Sequence, residues 1–209
     1  LGTGCNRYQM IPELALQAKH VTVFQRTPQW VFSVPGYRSP FPPQITWLDR
    51  NLPFHTNFMR ARSSNNAWFA KLTTIDPDYD NPDACSAANN AARDACITHL
   101  EAKIADPKLR AIMTPKHPVW SARAVVADTE YSILDAVQRD NVALVSAEIA
   151  EINPDGLLDR DGVQHDADVI VYATGFHATD YLYPMAITGR DGRALDELWA
   201  AEGARAYMG

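Results

Sequence analysis

The chain has 209 residues, 46% of them hydrophobic and 21% charged, with a formal net charge of -6 at neutral pH. That length holds one large domain or a domain carrying an inserted lobe, and the apolar share supplies a real core. Acidic and basic residues are mixed and no basic run occurs, which argues against a nucleic-acid partner; arginines scattered singly argue against a membrane-surface helix. No stretch reaches the ~18 consecutive apolar residues of a membrane span. No signal peptide is visible, although the chain does not begin with Met and an earlier targeting segment stays open. Cys5, Cys85 and Cys96 form an odd, sparse set without metal-ligand spacing. On one helix Cys85 and Cys96 would stand about 16 Å apart, too far for a disulfide. The expectation is inert thiols, no metal and a cytoplasmic location.

In chain order, Gly2-Thr3-Gly4 opens a helical pattern in which Met10, Leu14 and Ala18 share a face, with Pro12 awkward inside it. Residues 20–25 alternate as a strand, with Val21 and Val23 on one side. Loop, helix and strand form the second part of a βαβ unit whose first strand is expected before Leu1. Residues 27–53 are dense in proline and aromatics and read as a packed loop joining two lobes, its rings partly buried. Residues 54–113 predict helices around a polar break at 73–83, and Asp106-Pro107 is a helix start. Residues 123–127 and the run VALVSAEIAEI predict strands, 131–137 a helix, and Asp155-Gly156 and Asp161-Gly162 hairpin turns. The apolar run DVIVYATGF at 168–176 predicts a buried parallel strand, and 195–201 a short helix. This order predicts an α/β fold: a Rossmann-like three-layer nucleotide-binding domain with an inserted helical lobe, divided as 1–53, 54–122 and 123–209.

Glycines at 2 and 4 suit a backbone that turns tightly and lets a pyrophosphate approach a helix N-terminus; the plain alternative is a turn into a helix. Arg7 stands where such loops carry a small residue, so its side chain is expected to point away from the helix–sheet contact. An NAD-selective site needs a carboxylate after the second strand, but this strand ends in Gln25-Arg26-Thr27. Arginine there suits a 2′-phosphate and points to NADPH; the alternative is a solvated loop arginine. Arg38 reads as a surface residue, His117 and His177 as bland, and Trp30, Trp47, Trp68 and Trp120 as core.

GTGCNRYQMIPELA followed by VTVFQRTPQWV resembles the second nucleotide motif of Baeyer–Villiger monooxygenases, in which Gly-Thr-Gly-x-Ser-x-x-x-Gln precedes a strand ending Phe-Gln-Arg-Thr-Pro-x-Trp. Asn6 replaces the serine, Arg7 the small residue, and Gln9 matches. DPKLRAIMTPKHPVWSAR, QRDNVALV, DVIVYATGFHATDYL, ITGRDGRALDELW and ARAYMG continue the likeness in order over nearly the whole chain. The resemblance implies that Gly2, Thr3, Gly4, Asn6 and Gln9 line the NADPH pyrophosphate. It implies that Arg26 and Thr27 hold the 2′-phosphate, and that Ala173, Thr174 and Gly175 end a strand where two nucleotide domains meet. Arg123 is the implied catalytic residue, a fixed positive charge beside the flavin where negative charge develops during oxygen transfer. Ala122 stands where the family has Lys. The family's FAD glycine motif and its F-x-G-x-x-x-H-x-x-x-W fingerprint do not occur in this chain. The implied parent is an FAD- and NADPH-dependent enzyme using O2 to convert a ketone to an ester or lactone, with this chain as its NADPH-binding portion and inactive alone. A related nitrogen- or sulfur-oxygenating enzyme and a non-catalytic NADP-binding remnant are the alternatives.

Overall fold

In a computed structural model, the structure describes residues 4–64, 74–121, 125–175, 182, 184–200 and 203–205, the side chains of Cys5 and Ser64 excepted. The chain divides into two compact units, Leu1–Thr174 and Gly175–Gly209. The first unit opens with α1 (Cys5–Gln17), β1 (Val21–Phe24), β2 (Val31–Val34), α2 (Pro43–Asn51) and α3 (His55–Ser64). It continues with α4 (Ala87–Lys103), α5 (Pro107–Met113), β3 (Val125–Asp128), α6 (Ile133–Ala136), β4 (Val142–Val145), β5 (Ile149–Asn153), β6 (Gly156–Asp159) and β7 (Gln164–Asp166). In the second unit, residues 190–192 form a single 3-10 turn, followed by α7 (Leu195–Trp199). The strands make three small sheets: parallel β1–β4, parallel β2–β3 and antiparallel β5–β6–β7. The architecture is therefore mixed α/β.

Side chains from α1, α4, α6 and the two parallel pairs share one core, with Ile11, Val23, Ile104, Val125 and Leu134 among them. The buried face of α1 carries Tyr8, Ile11 and Ala15, one position round from the expected Met10, Leu14 and Ala18 stripe. Leu14 and Ala18 are half-buried and Met10 is exposed, because the larger Tyr8 and Ile11 fill the space against the sheet. Pro12 sits inside α1, which runs on to Gln17. Both glycine hairpins form as expected. At Gly156, φ is +149° and an added Cβ would lie 2.1 Å from the His165 carbonyl oxygen, so only glycine lets β6 meet β7. Asp159 locks the far end of that hairpin, accepting hydrogen bonds from the Asp161 and Val163 amides and pairing with His165 Nε2 at 2.8 Å.

The proline-rich stretch departs from expectation. It contains β2 and α2, because Val31–Val34 finds a parallel partner in β3 and Pro43 is well placed in the first turn of a helix. Trp30 is buried there, but Tyr37, Phe41 and Trp47 are exposed. The run at 168–175 is not assigned as a strand, and Val169 and Tyr172 face solvent. Trp68, Ala122, Arg123, Phe176 and His177 lie outside the described residues.

A buried polar clamp fixes the segment between α5 and β3. Trp30 Nε1 donates to the His117 carbonyl at 2.7 Å, and Asn89 Nδ2, fully buried on α4, donates to the Val119 carbonyl at 2.8 Å. Ser86 caps α4 by accepting from the Asn89 amide. Asn89→Ala strands the Val119 carbonyl without its donor, and is expected to cost about 1–3 kcal/mol of unfolding free energy, read as a lower urea midpoint at unchanged m-value.

Candidate functional site

The candidate nucleotide site is built on the N-terminus of α1 and the end of β1. Gly4 is the N-cap residue of α1, in extended backbone with no side-chain cap, so no side chain of the cap itself satisfies the first-turn amides. Asn6 and Gln9 are exposed on the first turns, and Arg26 and Thr27 are exposed directly after β1. Arg26 forms no ion pair with any described residue. Gly2 and Thr3 lie outside the described residues, as does Arg123.

Tyr8 joins these two segments. Its buried hydroxyl accepts from the Gln29 amide at 3.0 Å and donates to Gln25 Oε1 at 3.3 Å. Gln25 in turn donates to the Ile112 carbonyl at 3.2 Å. The two residues that Tyr8 grips flank Arg26 and Thr27, so the turn carrying the cation is pinned to the helix. Burial pushes the Tyr8 phenol up to about 12, which keeps it a neutral hydroxyl able to donate and accept. The sequence signal for this role was a lone tyrosine on the inward face of α1, weaker than the glycines beside it.

Two cavities flank α1. One, of about 320 Å³, is lined by Gln9, Glu13, Arg38, Asp128 and Tyr131 among others. Arg38, expected to be a plain surface residue, sits on its rim: its guanidinium pairs with Glu13 at 2.8 Å and stacks 3.9 Å from the centre of the Tyr131 ring, while its amide donates to Asp128 Oδ2 at 2.9 Å. Those amide bonds from Arg38 and Glu130 hold the Asp128 carboxyl below the usual carboxylate range.

The other cavity, about 430 Å³, lies between α1, β1 and residues 165–171. The Val21 and Gln25 amides both donate to the β4 side, at 2.8 Å. Alternation along a parallel ladder then turns the Thr22 and Phe24 backbone to the opposite edge, where no described strand pairs with β1. Arg7 lines this slot. Contrary to expectation it points into the helix–sheet contact: it is 5% exposed, and none of its three guanidinium nitrogens has a hydrogen-bond partner among the described residues. Desolvation pulls its pKa down to about 10. Ala173 is half-buried, Thr174 and Gly175 are exposed, and Gly175 has a φ of +98° that favours glycine.

No family model matches the chain. It is 36% identical over 200 residues to an uncharacterized monooxygenase of Mycobacterium bovis, covering 95% of this chain and 37% of that protein. It is 30% identical over 199 residues to a Baeyer–Villiger monooxygenase of Streptomyces coelicolor, covering 95% and 36%. The crystal structure of OTEMO in complex with FAD and NADP superposes with a TM-score of 0.75 at 30% identity, over all of this chain and 43% of that one. These likenesses define the chain as a relative of the FAD-binding monooxygenases. It is a partial-length homologue of the Baeyer–Villiger branch, spanning about two-fifths of the length of the proteins it matches.

The unpartnered guanidinium yields a stability prediction. Arg7→Met keeps the side-chain length and removes a buried charge, and is expected to stabilise the 209-residue chain by about 1–3 kcal/mol in urea unfolding. Loss of stability would show that Arg7 finds an acceptor in solution.

Proposed function

We propose that this chain is the NADPH-binding portion of an FAD- and NADPH-dependent monooxygenase that inserts one oxygen atom of O2 beside a ketone carbonyl, giving an ester or lactone, in the cytoplasm. The observation that carries the reading is the Arg26-Thr27 turn, exposed at the end of β1 and tied by Tyr8 to the uncapped first turn of α1. In this reading the part of the chain around β1 and β4 is Rossmann-like, and residues 54–122, with α3 to α5, form the inserted helical lobe.

The donor set fits the dinucleotide. Gly2, Thr3, Gly4, Asn6 and Gln9 hold the pyrophosphate at the positive end of α1, whose amides lack a side-chain cap. Arg26 supplies a charge-assisted contact to the 2′-phosphate, with Thr27 beside it. Arg123 holds a positive charge beside the reacting centre, and Ala173, Thr174 and Gly175 let backbone approach the flavin side. Bound flavin supplies the oxygen chemistry; the protein binds, orients and polarises.

A non-catalytic NADP-binding remnant is the second reading, favoured by Arg7 buried in the helix–sheet contact. A nitrogen- or sulfur-oxygenating relative is the third. In protein expressed from the complete reading frame, Arg26→Ala is expected to slow anaerobic flavin bleaching by NADPH about 10–100-fold while leaving NADH unchanged, since only NADPH carries the 2′-phosphate. Equal loss with both nucleotides would remove Arg26 from 2′-phosphate recognition, and a colourless protein would favour the remnant. Arg123→Ala is expected to abolish ketone oxygenation while NADPH oxidation continues; unchanged ketone turnover would strip Arg123 of its role.

A further inference from the structure

Residues 25–32 run beside residues 112–125 and grip them repeatedly. Gln25 Nε2 donates to the Ile112 carbonyl at 3.2 Å, and the Phe32 ring lies 5.1 Å from that of Trp120. Trp30, between them, grips twice. Its indole Nε1 donates to the His117 carbonyl at 2.7 Å, and its own carbonyl accepts from the Val125 amide at 3.3 Å. One buried residue, 4% exposed, therefore fastens the chain on both sides of residues 122–124, the stretch of sequence that contains Arg123. The fastened segment also carries strain. Trp120 has a φ of +68°, an unfavourable backbone for a bulky residue that persists only where the surroundings dictate it.

On its other side Trp30 leads to the turn that carries Arg26. The Gln29 amide donates to the Tyr8 hydroxyl at 3.0 Å, and Gln29 is joined to Trp30 through one planar peptide. Between Arg26 and Gln29 the backbone is stiffened by Pro28, which fixes its own φ and restricts Thr27 before it. Arg26 itself is exposed. A turn of that kind gains order when an anion meets its cation, and a short, stiff path runs from it to the indole. Order gained at one end of a connected hydrogen-bonded set restricts the other end without any displacement.

We propose that Trp30 is a positioning residue that couples nucleotide bound at the Arg26-Thr27 turn to residues 117–125, so that the segment leading through Arg123 is held most firmly when the nucleotide is in place. The inference rests on the reading of that turn as the 2′-phosphate site. The indole suits the part: it has only two side-chain torsions to fix, and it aims one donor at one carbonyl. Asn89 holds the same segment through the Val119 carbonyl, but it comes from α4, off this route. It fastens the segment without linking it to the nucleotide.

The test is amide hydrogen exchange on protein from the complete reading frame, with and without NADP+. In the unaltered protein NADP+ is expected to slow exchange at residues 25–30 and also, about threefold or more, at 117–121. Trp30→Phe keeps an aromatic ring and removes the donor. It is expected to retain the response at 25–29 and to lose the response at 117–121. Asn89→Ala is expected to speed exchange at 117–121 in the absence of nucleotide yet keep the response to NADP+. A response at 25–30 with none at 117–121 in the unaltered protein overturns the coupling. So does a response at 117–121 that survives in Trp30→Phe, or one that both variants abolish. No response at either stretch overturns the 2′-phosphate reading, and the inference with it.

Discussion

A buried phenol must find hydrogen bonds, and the way Tyr8 meets that demand organises the candidate site. Its hydroxyl lies where α1, the end of β1 and the following turn converge, and it uses both its donor and its acceptor capacity there. Gln25 extends the chain to the last turn of α5, where its amide donates to Ile112. Each member is costly to leave unsatisfied, so the set behaves as a unit: moving the turn that carries Arg26 would strand polar groups in a low-dielectric core. An exposed, flexible-looking cation thereby gains a fixed origin. Trp30 and Asn89 repeat the device on the segment after α5, holding two consecutive stretches of backbone through the His117 and Val119 carbonyls.

What the sequence made legible was local. The Asp106 cap, the Pro107 start of α5 and the two glycine hairpins each depend on neighbours a few residues away, and all are found. What it concealed was non-local. The α1 stripe was offset because periodicity records spacing, whereas the fit of Tyr8 and Ile11 against distant strands decides which way the helix turns. β2 was hidden because its reason to exist is β3, more than ninety residues on. The candidate site divides in the same manner. The glycine loop and Arg26 were motif-borne, whereas Tyr8, Gln25 and Arg38 matter through partners that only the fold brings near.

The expected strand at 168–175 shows how far hydrophobic pattern reaches without a neighbour. An apolar run becomes a strand only when its amides and carbonyls find a continuous ladder, and no described strand runs beside this one. Among the described residues the same slot leaves one edge of β1 without a paired strand, and it gives Arg7 room to fold inward. A residue of that size could not share the helix–sheet contact with a closely packed strand, so the open edge and the buried guanidinium are two views of one unfilled space.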